Sequence, residues 1–92
     1  MRECVVAAVQ LRVAGWDRAA NVAHAMAHVR EAARCGAQII LLPELFELPY
    51  FCTEQDAAHF AHARPFLGND TLTQFSQLAA ELQVVLPISF FE

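Results

Sequence analysis

The sequence predicts an α/β fold built on a parallel sheet, and two patterns of apolar residues support this prediction. Three largely apolar runs, at positions 4–9, 39–42 and 84–91, have the length and the branched side chains expected of buried strands. Between the first two runs, positions 18–34 carry apolar residues at helical spacing instead. A strand, a helix and a strand joined in this way form a right-handed βαβ unit with parallel strands.

The helix over positions 18–34 has clear start and stop signals. Asp17 is a suitable N-cap, because its carboxylate can accept a hydrogen bond from a free N–H of the first turn. Gly36 can adopt the left-handed conformation that ends the helix and returns the chain to the strand. The apolar stripe that we expect to face the sheet consists of Val22, Met26, Val29 and Ala33.

The second half of the sequence predicts two further helices and a third strand. A short helix is expected over positions 53–62. Thr71 and Gln74 have the spacing of a capping box, which predicts the start of another helix. The apolar stripe of that helix consists of Leu72, Phe75, Ala79 and Leu82. The strand over 84–91 contains Pro87, which indicates a bulge or a locally unpaired position.

A carboxylate stands at the end of the second predicted strand. Glu44 follows Pro43, which ends the strand because proline has no N–H to donate to the sheet. Ligands of open α/β sheets bind at the carboxyl ends of the strands. Apolar neighbours are expected to desolvate this carboxylate in part, which favours its neutral form and suits a general base near neutral pH. The alternative interpretation is that Glu44 caps a turn or forms a surface ion pair.

The residues around Glu44 resemble a family signature. Positions 37–46 read Ala-Gln-Ile-Ile-Leu-Leu-Pro-Glu-Leu-Phe, which closely resembles the first signature of the nitrilase, or carbon–nitrogen hydrolase, superfamily. The continuation to Cys52, together with the first and last apolar runs, is similar to the N-carbamoylputrescine amidase subfamily. The resemblance implies the N-terminal part of an αββα four-layer sandwich. Residues 1–92 are therefore expected to be the truncated N-terminal portion of a single hydrolase domain.

The resemblance also implies a reaction, the hydrolysis of a non-peptide C–N bond by a glutamate, a lysine and a cysteine acting together. Glu44 matches the glutamate, which acts as the base, and no cofactor is implied. The sequence contains no lysine, and the nucleophilic cysteine is expected beyond Cys52. The implied substrate is N-carbamoylputrescine, cleaved to putrescine, carbon dioxide and ammonia. The alternatives are another ureide or amide, such as a β-ureidopropionate or an N-carbamoyl-amino acid, and a non-catalytic α/β binding module.

The segment that follows the expected base contains four candidate substrate contacts. Glu47 is interpreted as a loop-structuring residue or as a contact for a substrate ammonium group. Tyr50 and Phe51 are expected to form a pocket wall around a linear substrate, with ordinary loop packing as the alternative. Cys52 is expected to line the pocket, although it is also the alternative nucleophile. Glu92 matches an acidic position near the active site of the family, and its role stays open.

Composition argues against several kinds of partner. The formal net charge of −4 and the scattered arginines suggest neither a nucleic-acid nor a membrane partner. Three cysteines without close pairing suggest neither a disulfide framework nor a zinc ribbon. His24 and His28 stand one helical turn apart but are interpreted as surface residues, so no metal is expected. No signal or membrane span is visible, so a cytoplasmic location is expected, with a small-molecule substrate and a homo-oligomeric full-length protein.

Overall fold

The fold is a parallel βαβ unit followed by a second helix. The computed structural model describes residues 3–13, 15–49, 61–64 and 67–91. Its elements are strand β1 (Val6–Ala8), helix α1 (Arg18–Arg34), strand β2 (Ile39–Leu41) and helix α2 (Asp70–Leu82). β1 and β2 pair in parallel, with Ala7 opposite Ile40. The α/β class and the βαβ unit are therefore confirmed, although both strands are shorter than the apolar runs that predict them.

Helix α1 begins and ends where its sequence signals predict. The Asp17 carboxylate accepts a hydrogen bond from the backbone N–H of Ala20 at 3.1 Å. At the other end Gly36 adopts a left-handed conformation with φ of +98°. The N–H groups of Gly36 and Ala37 donate back to the carbonyls of Ala33 and Ala32, at 2.9 and 3.1 Å. This pattern is a Schellman motif, which satisfies carbonyls that the helix end would otherwise leave free.

Helix α2 begins earlier than its capping-box pattern predicts. Asn69 is the N-cap, and its side-chain oxygen accepts a hydrogen bond from the N–H of Leu72 at 3.1 Å. Thr71 therefore lies inside the first turn, and the prediction that it caps the helix is wrong. The reason is that the Thr71 hydroxyl donates to the Glu47 carboxylate at 2.7 Å, a partner on another segment that local spacing does not reveal. Asparagine is among the most favoured N-cap residues.

The third predicted strand is reduced to a single bridge at its start. Val85 pairs in parallel with Ile39 of β2, and residues 86–91 form no strand. The strand prediction for 84–91 is therefore wrong beyond Val85. Pro87 offers no N–H, and the Phe91 carbonyl accepts a hydrogen bond from the N–H of Arg64 at 2.9 Å rather than from the sheet.

The remaining sequence predictions concern the helix over 53–62 and membrane spans. Most of that helix lies outside the described residues, and its last two positions, Ala61 and His62, form a 3₁₀ turn. Among the described residues, no helix has both the length and the apolar content needed to cross a bilayer.

The hydrophobic core lies between one face of the sheet and the two helices. Its most deeply buried residues include Ala25, Val29, Ile40, Phe46, Phe75 and Leu78. On the opposite face Val6, Leu41 and Val85 are exposed, and no described element covers them. In the described part of the chain the strands are therefore buried on one face only. Alternate residues of a strand point to opposite faces, so one layer of helices buries only every second residue.

Candidate active site

Glu44 begins a turn three positions after the end of β2. Residues 44–47 form the turn, and Pro43 stands just before it. Leu45 has a left-handed backbone with φ of +51°, a conformation that residues other than glycine rarely adopt. Such a conformation persists only where the surrounding structure holds it in place. The carboxylate thus lies at the carboxyl end of a parallel strand, the edge where α/β sheets bind ligands.

An open groove of about 400 Å³ lies at this edge of the sheet. Residues 8–11, which end and follow β1, line one side, and residues 41–43 line the other. The lining is apolar except for Gln10, and Glu44 is the next residue along the chain after Pro43. The volume of the groove is in the range of small-molecule sites.

The Glu44 side chain is exposed and has no hydrogen bond or ion pair with the residues that the structure describes. The expectation that apolar neighbours desolvate it in part stays a prediction, because two of those neighbours, Tyr50 and Phe51, lie outside the described residues. The turn places Phe46, two positions after Glu44, in the core, where its ring meets Phe75 edge-on with centroids 5.3 Å apart. A free carboxylate beside an apolar groove can accept a proton from a bound group, as a general base must.

The turn is attached to the chain that follows Val85. The backbone N–H of Leu45 donates a hydrogen bond to the Ser89 hydroxyl at 3.3 Å. This hydrogen bond holds the left-handed backbone of Leu45, the residue that follows Glu44.

Glu47, at the other end of the turn, is buried, with 6% of its surface exposed. Its carboxylate oxygen Oε2 accepts hydrogen bonds from Arg18 Nη1 at 3.2 Å and from the Thr71 hydroxyl at 2.7 Å. Its backbone carbonyl accepts a hydrogen bond from the Asn21 side chain at 2.8 Å. These contacts agree with the loop-structuring interpretation of Glu47. A contact with a substrate ammonium group stays a prediction.

Arg18 connects the buried carboxylate to another segment. Its second terminal nitrogen, Nη2, donates to the backbone carbonyl of His62 at 2.7 Å. The His62 ring in turn stacks on Trp16, with centroids 4.9 Å apart and planes within 19°. One arginine thus joins α1, the turn that carries Glu44 and the chain around residue 62.

Three residues of this network are not predicted from the sequence as site residues: Arg18, Asn21 and Thr71. Asn21 is in helical register with Ala25 and Val29, so it lies on the buried side of α1. Buried polar side chains are nearly always hydrogen-bonded, so this position indicates a polar partner on a neighbouring segment. No comparable signal marks Thr71, because its spacing to Gln74 points to a helix cap.

Several predicted site residues cannot be placed. Tyr50, Phe51, Cys52 and Glu92 lie outside the described residues. Within the described ranges no three histidine, cysteine or acidic side chains come together as metal ligands would.

The ion pairs away from the turn lie on the surface. Arg30 on α1 and Glu81 on α2 form a bidentate ion pair, with N···O distances of 3.1 and 3.2 Å and about half of each side chain exposed. Arg34 hydrogen-bonds Glu31, which lowers the pKa of the Glu31 carboxyl and raises the pKa of the arginine. Exposed pairs of this kind contribute little to stability, which distinguishes them from the buried pair of Arg18 and Glu47.

Comparison with known proteins gives one family and several relatives. The family model for carbon–nitrogen hydrolases matches residues 5–92. A protein named N-carbamoylputrescine amidase from Oryza sativa subsp. japonica is 47% identical over 87 residues, which are 95% of this chain and 29% of that protein. A protein of the same name from Solanum tuberosum is 47% identical over 91 residues, with 99% of this chain and 30% of that protein covered.

The chain is also similar to a relative that is not named as an N-carbamoylputrescine amidase. A protein named citrullinase from Francisella tularensis subsp. tularensis is 37% identical over 92 residues, which cover 100% of this chain and 32% of that protein. The chain therefore spans about a third of the length of the curated relatives it matches.

Proposed function

Since the chain belongs to the carbon–nitrogen hydrolase family, we propose that the full-length protein hydrolyses the ureido C–N bond of N-carbamoylputrescine. The products are putrescine, carbon dioxide and ammonia, as in polyamine synthesis. One observation carries the proposal: the exposed Glu44 directly follows Pro43, which lines an apolar groove at the carboxyl ends of β1 and β2. The names of the plant relatives support the choice of substrate.

In the proposed reaction Glu44 takes the proton of a cysteine thiol, and the thiolate attacks the ureido carbonyl carbon. A lysine and backbone N–H groups stabilise the oxyanion of the tetrahedral intermediate, which then expels ammonia as Glu44 returns the proton to the leaving nitrogen. A water molecule deprotonated by the same glutamate releases the acyl group from sulfur. The carbamate so formed loses carbon dioxide and leaves putrescine. Because this chain contains no lysine, we assign the lysine and the nucleophilic cysteine to a part of the protein outside these residues.

We propose that Tyr50, Phe51 and Cys52 line the site around the substrate chain. They follow the turn by only a few residues, and the similarity to the relatives runs through them. Their side chains are mostly apolar, which suits the four-carbon chain of N-carbamoylputrescine.

The exposed sheet face supports a proposal about architecture. We propose that it packs against a second sheet in an αββα four-layer sandwich, with residues 1–92 as the N-terminal portion of a single hydrolase domain. Val6, Leu41 and Val85 are the exposed apolar residues available for this contact. We further propose a cytoplasmic homo-oligomer, a location that suits the free thiols of Cys4 and Cys35.

Citrulline is the second candidate substrate. The relative named citrullinase favours it, with a lower identity than the plant proteins. Citrulline and N-carbamoylputrescine both carry a terminal ureido group on a linear chain, so the same attack applies to both. They differ at the far end, where citrulline has an α-carboxylate beside its amine.

We expect the full-length protein to release ammonia from N-carbamoylputrescine with a kcat/KM at least about tenfold above that for citrulline. One unfavourable contact with the extra carboxylate is enough for this factor, since about 1.4 kcal/mol changes a rate ratio tenfold. The measurement is steady-state ammonia release, with β-ureidopropionate included. A preference for citrulline would assign the protein to the second candidate, and hydrolysis of none of the three would favour a non-catalytic module.

The 92-residue chain by itself is expected to release no ammonia from N-carbamoylputrescine. It lacks the lysine, and removing members of a catalytic unit abolishes nearly all of the rate enhancement. The assay is the same ammonia measurement on the purified chain. Turnover that disappears in Cys52→Ala would contradict the expectation and assign the nucleophile to Cys52.

A further inference from the structure

We propose that Glu47 is a positioning residue for Glu44 and not a contact for the substrate. Its carboxylate holds the turn through the ion pair with Arg18 and the hydrogen bond from Thr71. The inference rests on the proposed function only in that it takes Glu44 as the base.

The contacts of Glu47 are already made within the chain. Oxygen Oε2 accepts from a guanidinium at 3.2 Å and from a hydroxyl at 2.7 Å, and the residue is 6% exposed. A substrate ammonium group would have to compete with Arg18 for this carboxylate, and the space beside the two side chains is only about 10 Å³. Glu44 is exposed on the same turn, and Glu47 is buried.

Glu44 depends on the backbone of the turn for its position. Its carboxylate has no hydrogen bond to any described residue, so nothing in that part of the chain orients the side chain directly. The next residue, Leu45, has a left-handed backbone that its surroundings must maintain. A group placed in this way loses its alignment when the turn relaxes.

The buried network holds the turn against both helices. Asn21 of α1 donates to the Glu47 carbonyl at 2.8 Å, and its amide also donates to the Gly15 carbonyl at 3.0 Å. Thr71 of α2 donates to the carboxylate, and Arg18 is itself anchored on the His62 carbonyl. Glu47, three positions after the proposed base, is therefore bonded to both helices, and Arg18 links it further to the chain at His62.

Removal of the Glu47 charge should loosen this network. Glu47→Gln keeps the size of the side chain but leaves the half-buried Arg18 guanidinium without its counter-ion, and breaking a buried pair is strongly unfavourable. The matched control is Glu81→Gln, the same change in the exposed pair with Arg30 between α1 and α2. An exposed pair contributes little, so the control should behave as the wild type.

The test uses steady-state kinetics of the full-length protein with N-carbamoylputrescine. Glu47→Gln should lower kcat about tenfold and leave KM within about twofold, less than the loss of about a hundredfold that a 1 Å misplacement can cause. Glu81→Gln should leave both constants unchanged. A higher KM with an unchanged kcat would identify Glu47 as a substrate contact and overturn the proposal, as would wild-type values for both constants.

A second measurement separates this inference from the proposed function. Amide hydrogen exchange reports the opening of the turn at Leu45 whether or not the substrate has been identified correctly. If the wild type hydrolyses none of the tested ureides, the proposed function fails. Faster exchange at the turn in Glu47→Gln than in Glu81→Gln would then still support the positioning role, and equal exchange would overturn it. Should Glu47→Gln not fold, Thr71→Val removes a single donor, and smaller changes in the same direction are expected.

Discussion

Glu44→Gln is expected to lower kcat for N-carbamoylputrescine by at least about a hundredfold, the scale of a lost general base. Glutamine has nearly the same size but cannot take a proton from a thiol or from water. The carboxylate is exposed and has no hydrogen bond to the described residues, so the change should leave folding intact. The measurement is ammonia release, with circular dichroism and thermal unfolding as tests of the fold.

The controls for this prediction lie on the same turn and on the surface. Glu47→Gln should reduce turnover less than Glu44→Gln, since Glu47 acts through the backbone and not on the reacting atoms. Glu81→Gln should have no effect, because its pair with Arg30 is exposed. If Glu47→Gln proved the more damaging of the two changes in a folded protein, the roles assigned to the two glutamates would be reversed.

The isolated 92-residue chain is expected to self-associate at micromolar concentration and to bind dyes that report exposed apolar surface. One face of its sheet carries Val6, Leu41 and Val85 without a covering layer among the described residues. An uncovered apolar face and an edge of β1 that no described strand pairs with both favour association. Leu41→Gln should shift the chain toward monomer in sedimentation analysis, since Leu41 lies on this face at the end of β2 and is 49% exposed.

Leu67→Gln is the matched control for the sheet face. Leu67 is 82% exposed in the turn before α2, away from the sheet, so the same substitution there should not change association. A compact monomer with a cooperative thermal transition in the unmodified chain would contradict the expectation. It would indicate that the chain is a self-sufficient module.

The parts of the fold that the sequence predicts correctly have local causes. The bounds of α1 follow from Asp17 and Gly36, which act on backbone groups within the adjacent turn. The parallel pairing of β1 and β2 follows from two apolar runs joined through a helix. The residues that set the bounds of α1 lie within a few positions of its ends. The pairing of β1 with β2 depends only on the helix that connects them.

The errors arise where a distant segment competes with a local signal. Thr71 has the spacing of a helix cap, but its hydroxyl bonds to Glu47, and Asn69 caps the helix instead. The run after Val85 has the composition of a strand, but the Phe91 carbonyl bonds to the N–H of Arg64. Neither partner is visible in the pattern of neighbouring residues, because both contacts join positions more than 20 residues apart.

The candidate site also has some features that follow from local sequence and others that depend on tertiary packing. The sequence by itself determined that Glu44 stands at the carboxyl end of a parallel strand, because Pro43 and the apolar run before it set the end of β2. Only the tertiary structure decided that Glu44 is exposed and that Glu47 is buried against Arg18. Burial depends on which segments pack around a side chain, and two glutamates three residues apart on one turn face different surroundings. That packing is a property of the whole chain, which local spacing does not encode.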